Sequence, residues 1–187
     1  MALLSDEQLL AALLEDDENS LRVLVDRYAS SIYRFAIRFS NDESLAEDIS
    51  QEVFLRVYRY ARLFDRHRIF KTWLFAIARN VSIDMAAAAR VRRFQSLDDD
   101  DPHGARRHVS PLYAEKTVED DYIQQETEQA LRKAIHGLPE NQRSSIILRY
   151  YEGMAVKEIA TVMDCSVSAV ESLLVRAKRN LAKSMEL

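Results

Sequence analysis

The side chains of this sequence that could do chemistry form three groups, and each suits recognition rather than covalent catalysis. Arg176, Lys178, Arg179 and Lys183 crowd the stretch Glu171 to Lys183, where Glu171 is the one acid. Cations at this density neutralise phosphates, and a guanidinium among them can reach base edges in a major groove. A second group runs from Arg66 to Arg93. Seven bases (Arg66, Arg68, Lys71, Arg79, Arg90, Arg92, Arg93) stand there against the single acid Asp84, with Phe64, Phe70, Trp73 and Phe75 interleaved or adjacent. Unpaired bases stack on aromatic faces while their phosphates meet cations, so this composition suits a single strand. The third group is Asp48, Gln51, Glu52 and Leu55, whose three- and four-residue steps put them on one helix face. These acids either complement a helix dipole or form a docking face for a basic protein surface.

Individual positions carry different weights. Helical spacing favours core positions for Phe70 and Trp73, whereas Phe64, in a loop, and Asn80, whose amide both donates and accepts, suit base contact better. In the C-terminal group, Arg176 suits a guanine or a phosphate, and Ser168, Ser172 and Arg179 accompany it as candidates. Arg149 and Lys157 are candidates for backbone anchoring, with ordinary surface solvation as the alternative. Glu171 has two readings of equal weight. It could accept a hydrogen bond from a cytosine amino group, or it could complete Ser168-Ala169-Val170-Glu171, a capping box that starts a helix.

The whole-chain balance hides these local surpluses, because 26 basic residues face 30 acidic ones for a formal net charge of -4. There is no Gly-rich phosphate loop, no convincing nucleophile and base pair, and no carboxylate set with ligand spacing, so an enzyme is not expected. The four histidines are scattered, and His103 and His108 share a loop without a nearby cysteine; no metal site and no cofactor are expected. Cys165 is the one cysteine, so no internal disulfide can form. The start MALLSDEQLLAALLEDDE has no cationic leader region and too short an apolar run to span a bilayer. The expectation is a cytoplasmic protein without membrane insertion.

All three groups need helices to hold them. No Gly or Pro occurs before Pro102, which suits helices better than hairpins. Ser5 and Gln8 have capping-box spacing for a first helix, and Leu21 to Phe39 carries an apolar face for a second. A third helix carries Leu45, Ile49, Val53, Phe54 and Val57. A fourth follows the Leu63 to Ile69 loop with Phe70, Leu74, Ile77, Val81 and Met85 in register. From Phe94 to Asp121 the periodicity stops, and eight acids against three bases read as a linker. Periodicity resumes near Ile123; Gly137 and Pro139 divide two helices, the second ending at Gly153. Val156 to Met163 and Val167 to Leu181 then form two short amphipathic helices separated by Asp164-Cys165-Ser166. So tight a break forces a steep crossing, the pattern of a DNA-binding helix-turn-helix, with Asp164 where such turns often use Gly. The fold class expected is all-α: two small helical domains, a four-helix bundle and a helix-turn-helix unit, joined by an acidic flexible linker.

The order of these features, AEDISQEVFLRVYR, then FKTWLFAIARN, then the acidic linker, then LPENQRSSIILRYYEGMAVKEIATVMDCSVSAVESLLVRAK, closely resembles the extracytoplasmic-function sigma factors of bacterial RNA polymerase, in the sigma-70 family. The resemblance implies a region 2 domain over 1–93, a linker over 94–122 and a region 4 domain over 123–187. It implies that Asp48, Gln51, Glu52 and Leu55 dock on the clamp coiled coil of the largest polymerase subunit. Phe64, Arg66, Arg68, Lys71 and Asn80 would hold melted single-stranded bases of the minus-ten element. Arg149, Lys157, Ser168, Glu171, Ser172, Arg176 and Arg179 would serve the duplex minus-thirty-five element, beside a flap contact on the second-largest subunit. An anti-sigma factor that silences the protein is implied as a further partner. Many relatives have Arg where this chain has Glu171, so their base preference does not transfer.

Distance constrains such a mechanism. Promoter elements about twenty base pairs apart are separated by roughly 70 Å. A flexible tether of this length has an end-to-end distance of about 30 Å, and an extended one reaches about 90 Å. A working linker must therefore be held extended, and the resemblance implies a basic polymerase channel where Asp98 to Asp101 mimic phosphates. A free acidic tether is the alternative. The free protein is expected to be compact and to bind promoter DNA poorly. A stand-alone helix-turn-helix regulator remains the competing function, although a duplex reader has no need of the basic aromatic segment.

Overall fold

The structure, a computed structural model, describes residues 4–15, 17–65, 67–96 and 128–185. The regular elements among them are helical throughout. The first, α1 (Asp6–Leu13), opens on the expected capping box: the Gln8 amide donates to Ser5 Oγ at 3.2 Å and Gln8 Oε1 accepts from the Ser5 amide at 2.8 Å. α2 (Glu18–Ser40) begins at Asp17, whose carboxylate accepts from the Asn19 amide. It stops where Asn41 turns left-handed at φ 55°, a conformation that Asn tolerates. Asp42 then caps α3 (Glu43–Tyr60) by accepting from the Leu45 amide at 3.0 Å. A two-residue break between helices this long makes them antiparallel neighbours.

A 3-10 turn, Ala61–Leu63, leads through a short loop to α4 (Phe70–Ser96). The first N–H of α4 donates to Glu7 Oε1 at 3.1 Å, so α1 caps the helix across the bundle. The periodic apolar residues form the core: Leu24, Ile32, Phe35 and Phe39, then Ile49, Val53 and Val57, then Phe70, Leu74, Phe75 and Val81 are all fully buried. Phe35 lies at its centre, stacked on Phe39 and edge-on to Phe75 at 5.7 Å. α4 extends three residues past the expected end of the bundle. The run Ala86 to Ala89 has high helix propensity, no breaker follows before Pro102, and the cations at Arg90, Arg92 and Arg93 need no core to continue.

The second unit starts with a helix over residues 128–136 (α5), which Gly137 and Leu138 close by donating to Lys133 O and Ile135 O. α6 (Glu140–Ile146) widens into a π-helical turn over Ile147–Tyr151, and Gly153 at φ 68° releases the chain. α7 (Val156–Val162) and α8 (Val167–Met185) follow, and Asp164 adopts the left-handed conformation expected of it, at φ 50°. Ile147, Leu148, Ile159, Val170 and Ala177 form the fully buried centre. The linker positions Asp98 to Asp101, with His103 and His108, lie outside the described residues, as do 123–127.

The two units pack on each other. α7 lies along α4, and the π turn meets α2. Arg143 joins them: one Nη donates to Phe39 O of α2 at 2.7 Å, the other to Leu138 O at 3.0 Å and also to His136 O, while the guanidinium lies over the Phe39 ring. Arg38 of α2 stacks on Tyr151, 4.1 Å from the ring centroid. Among the described residues no helix is long and apolar enough to cross a membrane.

With Phe35 fully buried between α2 and α4, Phe35→Ala should destabilise the bundle by about 3–5 kcal/mol. Urea unfolding followed by far-UV circular dichroism measures the loss.

Candidate nucleic-acid and docking surfaces

The helix-turn-helix presents its reading stripe to solvent. Ser168, Glu171, Ser172, Arg176 and Arg179 recur at three- and four-residue steps along α8 and are all exposed, opposite the buried Val170, Leu174 and Ala177. Ser172 Oγ donates to Ser168 O at 2.9 Å and Arg176 Nε donates to Ser172 O at 3.2 Å, so both side chains lie along the helix surface. Val175 shares this stripe with 58% of its area exposed. A reading of the sequence for polar side chains passes over it, yet an apolar residue off the buried face of a basic helix is itself a signal, because an isopropyl group can meet a thymine methyl.

One of the two readings of Glu171 fails on this geometry. α8 is capped two residues earlier than the capping box requires, by Ser166, whose hydroxyl accepts from the Ala169 amide at 3.2 Å. Ser168 is therefore already helical, and Glu171 stands in the second turn with no N-terminal amide to serve. Lys157 is exposed at the start of α7. Arg149 is also exposed, and its Nη1 donates to Met154 O at 2.8 Å, fastening the π turn to the segment before α7.

On the first unit, the acidic group lies on the outer side of α3. Asp48 and Gln51 are exposed, and Leu55 keeps half its area in solvent. Glu52 is partly covered and accepts from Arg56 Nε at 2.8 Å. Beside them is an open apolar groove between α2 and α3, lined by Leu21, Val25, Phe54, Leu55 and Tyr58 among others. Tyr58, 55% exposed, extends the face by one further helical step from Leu55 and belongs with it. Arg22 and Gln51 also line the groove, and Asp48 and Glu52 stand elsewhere on α3, so an apolar partner face flanked by polar groups suits it.

The basic aromatic segment is rearranged relative to expectation. Phe64 is not a free loop platform: it is 8% exposed and packs at 5.1 Å from Trp73 and 6.2 Å from Phe70. The loop folds back because a Phe beside two rings buries more area than it would in water. Trp73 is the partly exposed ring of that cluster, at the wall of a cleft formed by Arg68, Ile69, Thr72 and Ala76 with Lys157, Glu158 and Thr161 of α7. Arg68 is exposed and pairs loosely with Asp65 at 3.8 Å. Arg66 lies outside the described residues. Asn80 is exposed, but its Oδ1 accepts from Arg79 Nη1 at 3.2 Å.

Several cations of α4 are engaged by the second unit. Lys71 Nζ donates to Glu152 O at 2.9 Å, Arg79 Nη2 to Asn141 Oδ1 at 2.6 Å, and Arg90 Nη2 to Glu140 Oε1 at 2.5 Å. Glu152 itself is half-buried. Burial pushes its carboxyl above the usual range against the pull of Lys71, Arg34 and Arg38, and its Oε1 has no hydrogen-bond partner among the described residues. An upward shift means that the folded chain holds this proton more tightly than the unfolded one and gains stability from it. That contribution is present below the ordinary carboxylate value and is lost as the pH rises through the shifted one.

Comparison with known proteins places these surfaces in a family. The family described as Sigma-70 region 2 matches residues 24–92, and Sigma-70, region 4 matches residues 128–181. The RNA polymerase sigma-H factor of Pseudomonas aeruginosa is 32% identical over 184 residues, covering 97% of this chain and 94% of its own. The ECF RNA polymerase sigma factor SigM of Bacillus subtilis is 30% identical over 154 residues, 82% of this chain and 88% of its own. In fold, the sigma factor RpoE solved in complex with the anti-sigma factor NepR from Bartonella quintana matches with a TM-score of 0.65 at 22% identity, over 89% of this chain and 96% of that one.

The capping geometry is testable by stability alone. Ser166→Ala should cost about 1 kcal/mol, the usual loss for an N-cap hydroxyl, whereas Glu171→Ala should change stability by less than about 0.5 kcal/mol. Thermal unfolding of the two variants separates these outcomes.

Proposed function

Because the chain belongs to the extracytoplasmic-function group of the sigma-70 family, we propose that its exposed surfaces divide the work of a promoter-specificity subunit of RNA polymerase. It binds core polymerase and directs transcription initiation at particular promoters, and nucleotide addition belongs to the polymerase. Residues 1–93 form the core-binding and minus-ten domain, 94–122 the linker, and 123–187 the minus-thirty-five domain. Asp48, Gln51, Glu52 and Leu55 dock on the clamp of the largest subunit, joined by Tyr58 and the apolar groove. Arg68, Lys71 and Asn80 hold the melted strand, with Trp73 in place of Phe64 as the available stacking ring. Ser168, Glu171, Ser172, Val175, Arg176 and Arg179 face the major groove of the upstream element, Lys157 and Arg149 support the backbone, and the same domain meets the flap of the second-largest subunit. The site of action is the cytoplasm, where polymerase and chromosome meet.

The observation that carries this reading is the exposed polar stripe of α8 in the same chain as the acidic, apolar-edged face of α3. A stand-alone duplex reader has use for the first surface and none for the second. The RpoE structure holds an anti-sigma factor, and a protein of that kind is the expected silencing partner here, since the α3 groove and the α8 stripe both offer unpartnered binding area.

Gel filtration of the purified chain with bacterial core polymerase tests the assignment. Wild type should co-elute, and Asp48→Arg combined with Leu55→Asp should abolish co-elution while helical content stays unchanged. Co-elution of the double variant at wild-type level would remove α3 as the docking face. A wild-type protein that never co-elutes but shifts duplex DNA alone would make the chain a stand-alone regulator.

A further inference from the structure

The first turn of α4 carries groups assigned to the melted strand, yet it has little of its own to start a helix. Ile69, the residue before it, has no side-chain oxygen, no acid lies in the first turn, and Lys71 puts a cation where the helix dipole favours an anion. The opening N–H groups of a helix have no intrahelical partner and need one from outside. The Phe70 amide finds it 63 residues away, in Glu7 Oε1 at 3.1 Å. Glu7 can serve this amide because α1 is itself fixed. Leu9, Leu10 and Leu13 bury its apolar face. Its neighbour Asp6 accepts from Arg27 Nη1 at 2.7 Å and from the Tyr28 hydroxyl, and Arg27 Nη2 donates to Leu4 O at 2.8 Å. Burial, then the bond to Asp6, push the Tyr28 hydroxyl above its ordinary range, so it stays a donor at neutral pH. The Tyr28 ring meets the Phe70 ring edge-on at 5.6 Å, and Phe70 packs 5.9 Å from Trp73. Two adjacent carboxylates of α1 therefore reach the same residue, Glu7 through the Phe70 amide and Asp6 through Tyr28 to the Phe70 ring.

We propose that Glu7 is a positioning residue for strand capture: by capping the Phe70 amide it fixes the first turn of α4, and with it Arg68, Lys71 and the Trp73 ring, in the geometry that takes unpaired bases. This rests on the reading of α4 as the minus-ten helix. Lys71 is one residue from the capped amide and Trp73 three, less than one helical turn, so fraying of that turn displaces both. A recognition site loses most when the groups that support it are loose. The loss falls on the capture of unstacked bases. Duplex reading and polymerase docking are assigned to α8 and α3, and the Glu7 bond falls on neither.

The test uses the full chain assembled with bacterial core polymerase. A duplex fragment selected from a random-sequence pool by the wild-type holoenzyme serves as the promoter probe; filter retention reads binding, and permanganate reactivity of its thymines reads strand opening. Glu7→Ala should retain the fragment as wild type does but open it about threefold to tenfold more slowly, the scale of one lost helix cap. Glu7→Gln keeps an acceptor of the same reach without the charge and should open it at close to the wild-type rate. Asp17→Ala removes the cap of α2 instead and should also open it normally, which separates this cap from the loss of any cap. Acrylamide quenching of Trp73, the one tryptophan, reads the local geometry in the free chain. It should be steeper in Glu7→Ala and unchanged in Glu7→Gln. A Gln variant as slow as the Ala variant, or an equally slow Asp17→Ala, overturns the proposal. Glu7→Ala that opens the fragment at the wild-type rate also overturns it, and the quenching says why: altered quenching keeps the cap and removes α4 as the strand-facing helix, whereas unaltered quenching removes Glu7 as the support of that turn.

Discussion

Cations brought to a protein interface must find acceptors, because an ammonium or guanidinium stripped of water and left unpaired is strongly unfavourable. α4 places that constraint at the middle of this molecule. One side of the helix is the apolar wall of the four-helix bundle, and another carries Lys71, Arg79 and Arg90. Oxygens of Glu152, Asn141 and Glu140 accept from those groups, while Arg79 Nε is buried without a partner among the described residues. Arg143 meets the same requirement in the opposite direction, donating from α6 into the carbonyl at the end of α2.

Docking has a geometric consequence. With α7 against α4, the helix-turn-helix unit lies beside the helix proposed for the minus-ten element, whereas elements about twenty base pairs apart lie roughly 70 Å from each other along a duplex. One arrangement cannot serve both. On the proposed assignment of the two surfaces, reading both elements at once requires the units to separate.

Local chemistry was the legible part of the sequence. The Ser5 capping box, the Asp164 turn, the helix end at Gly153 and the buried faces of α2, α3 and α4 all follow from spacing and from what single residue types tolerate. Long-range packing was not legible. Phe64 reads as a loop residue until two rings of α4 are found beside it, and the capping role of Ser166 is hidden by two further serines that offer alternative frames. The π turn has no residue-type signature in Ile147–Tyr151, where Ile147 and Leu148 are buried in succession after Ile146. The mutual docking of the units was also illegible at residue level, because Arg79 and Arg90 look the same in sequence whether an amide, a carboxylate or a phosphate meets them.

On this reading the two units rest on each other in the free protein and part on promoter engagement. Pulsed electron spin resonance tests it most directly, with spin labels on Glu43→Cys and Ser184→Cys in a Cys165→Ser background. The distance between labels is compared for the free chain and for its complex with core polymerase and promoter DNA. A single short distance in the free chain should lengthen by tens of ångströms in the complex. The same distance in both states would contradict it.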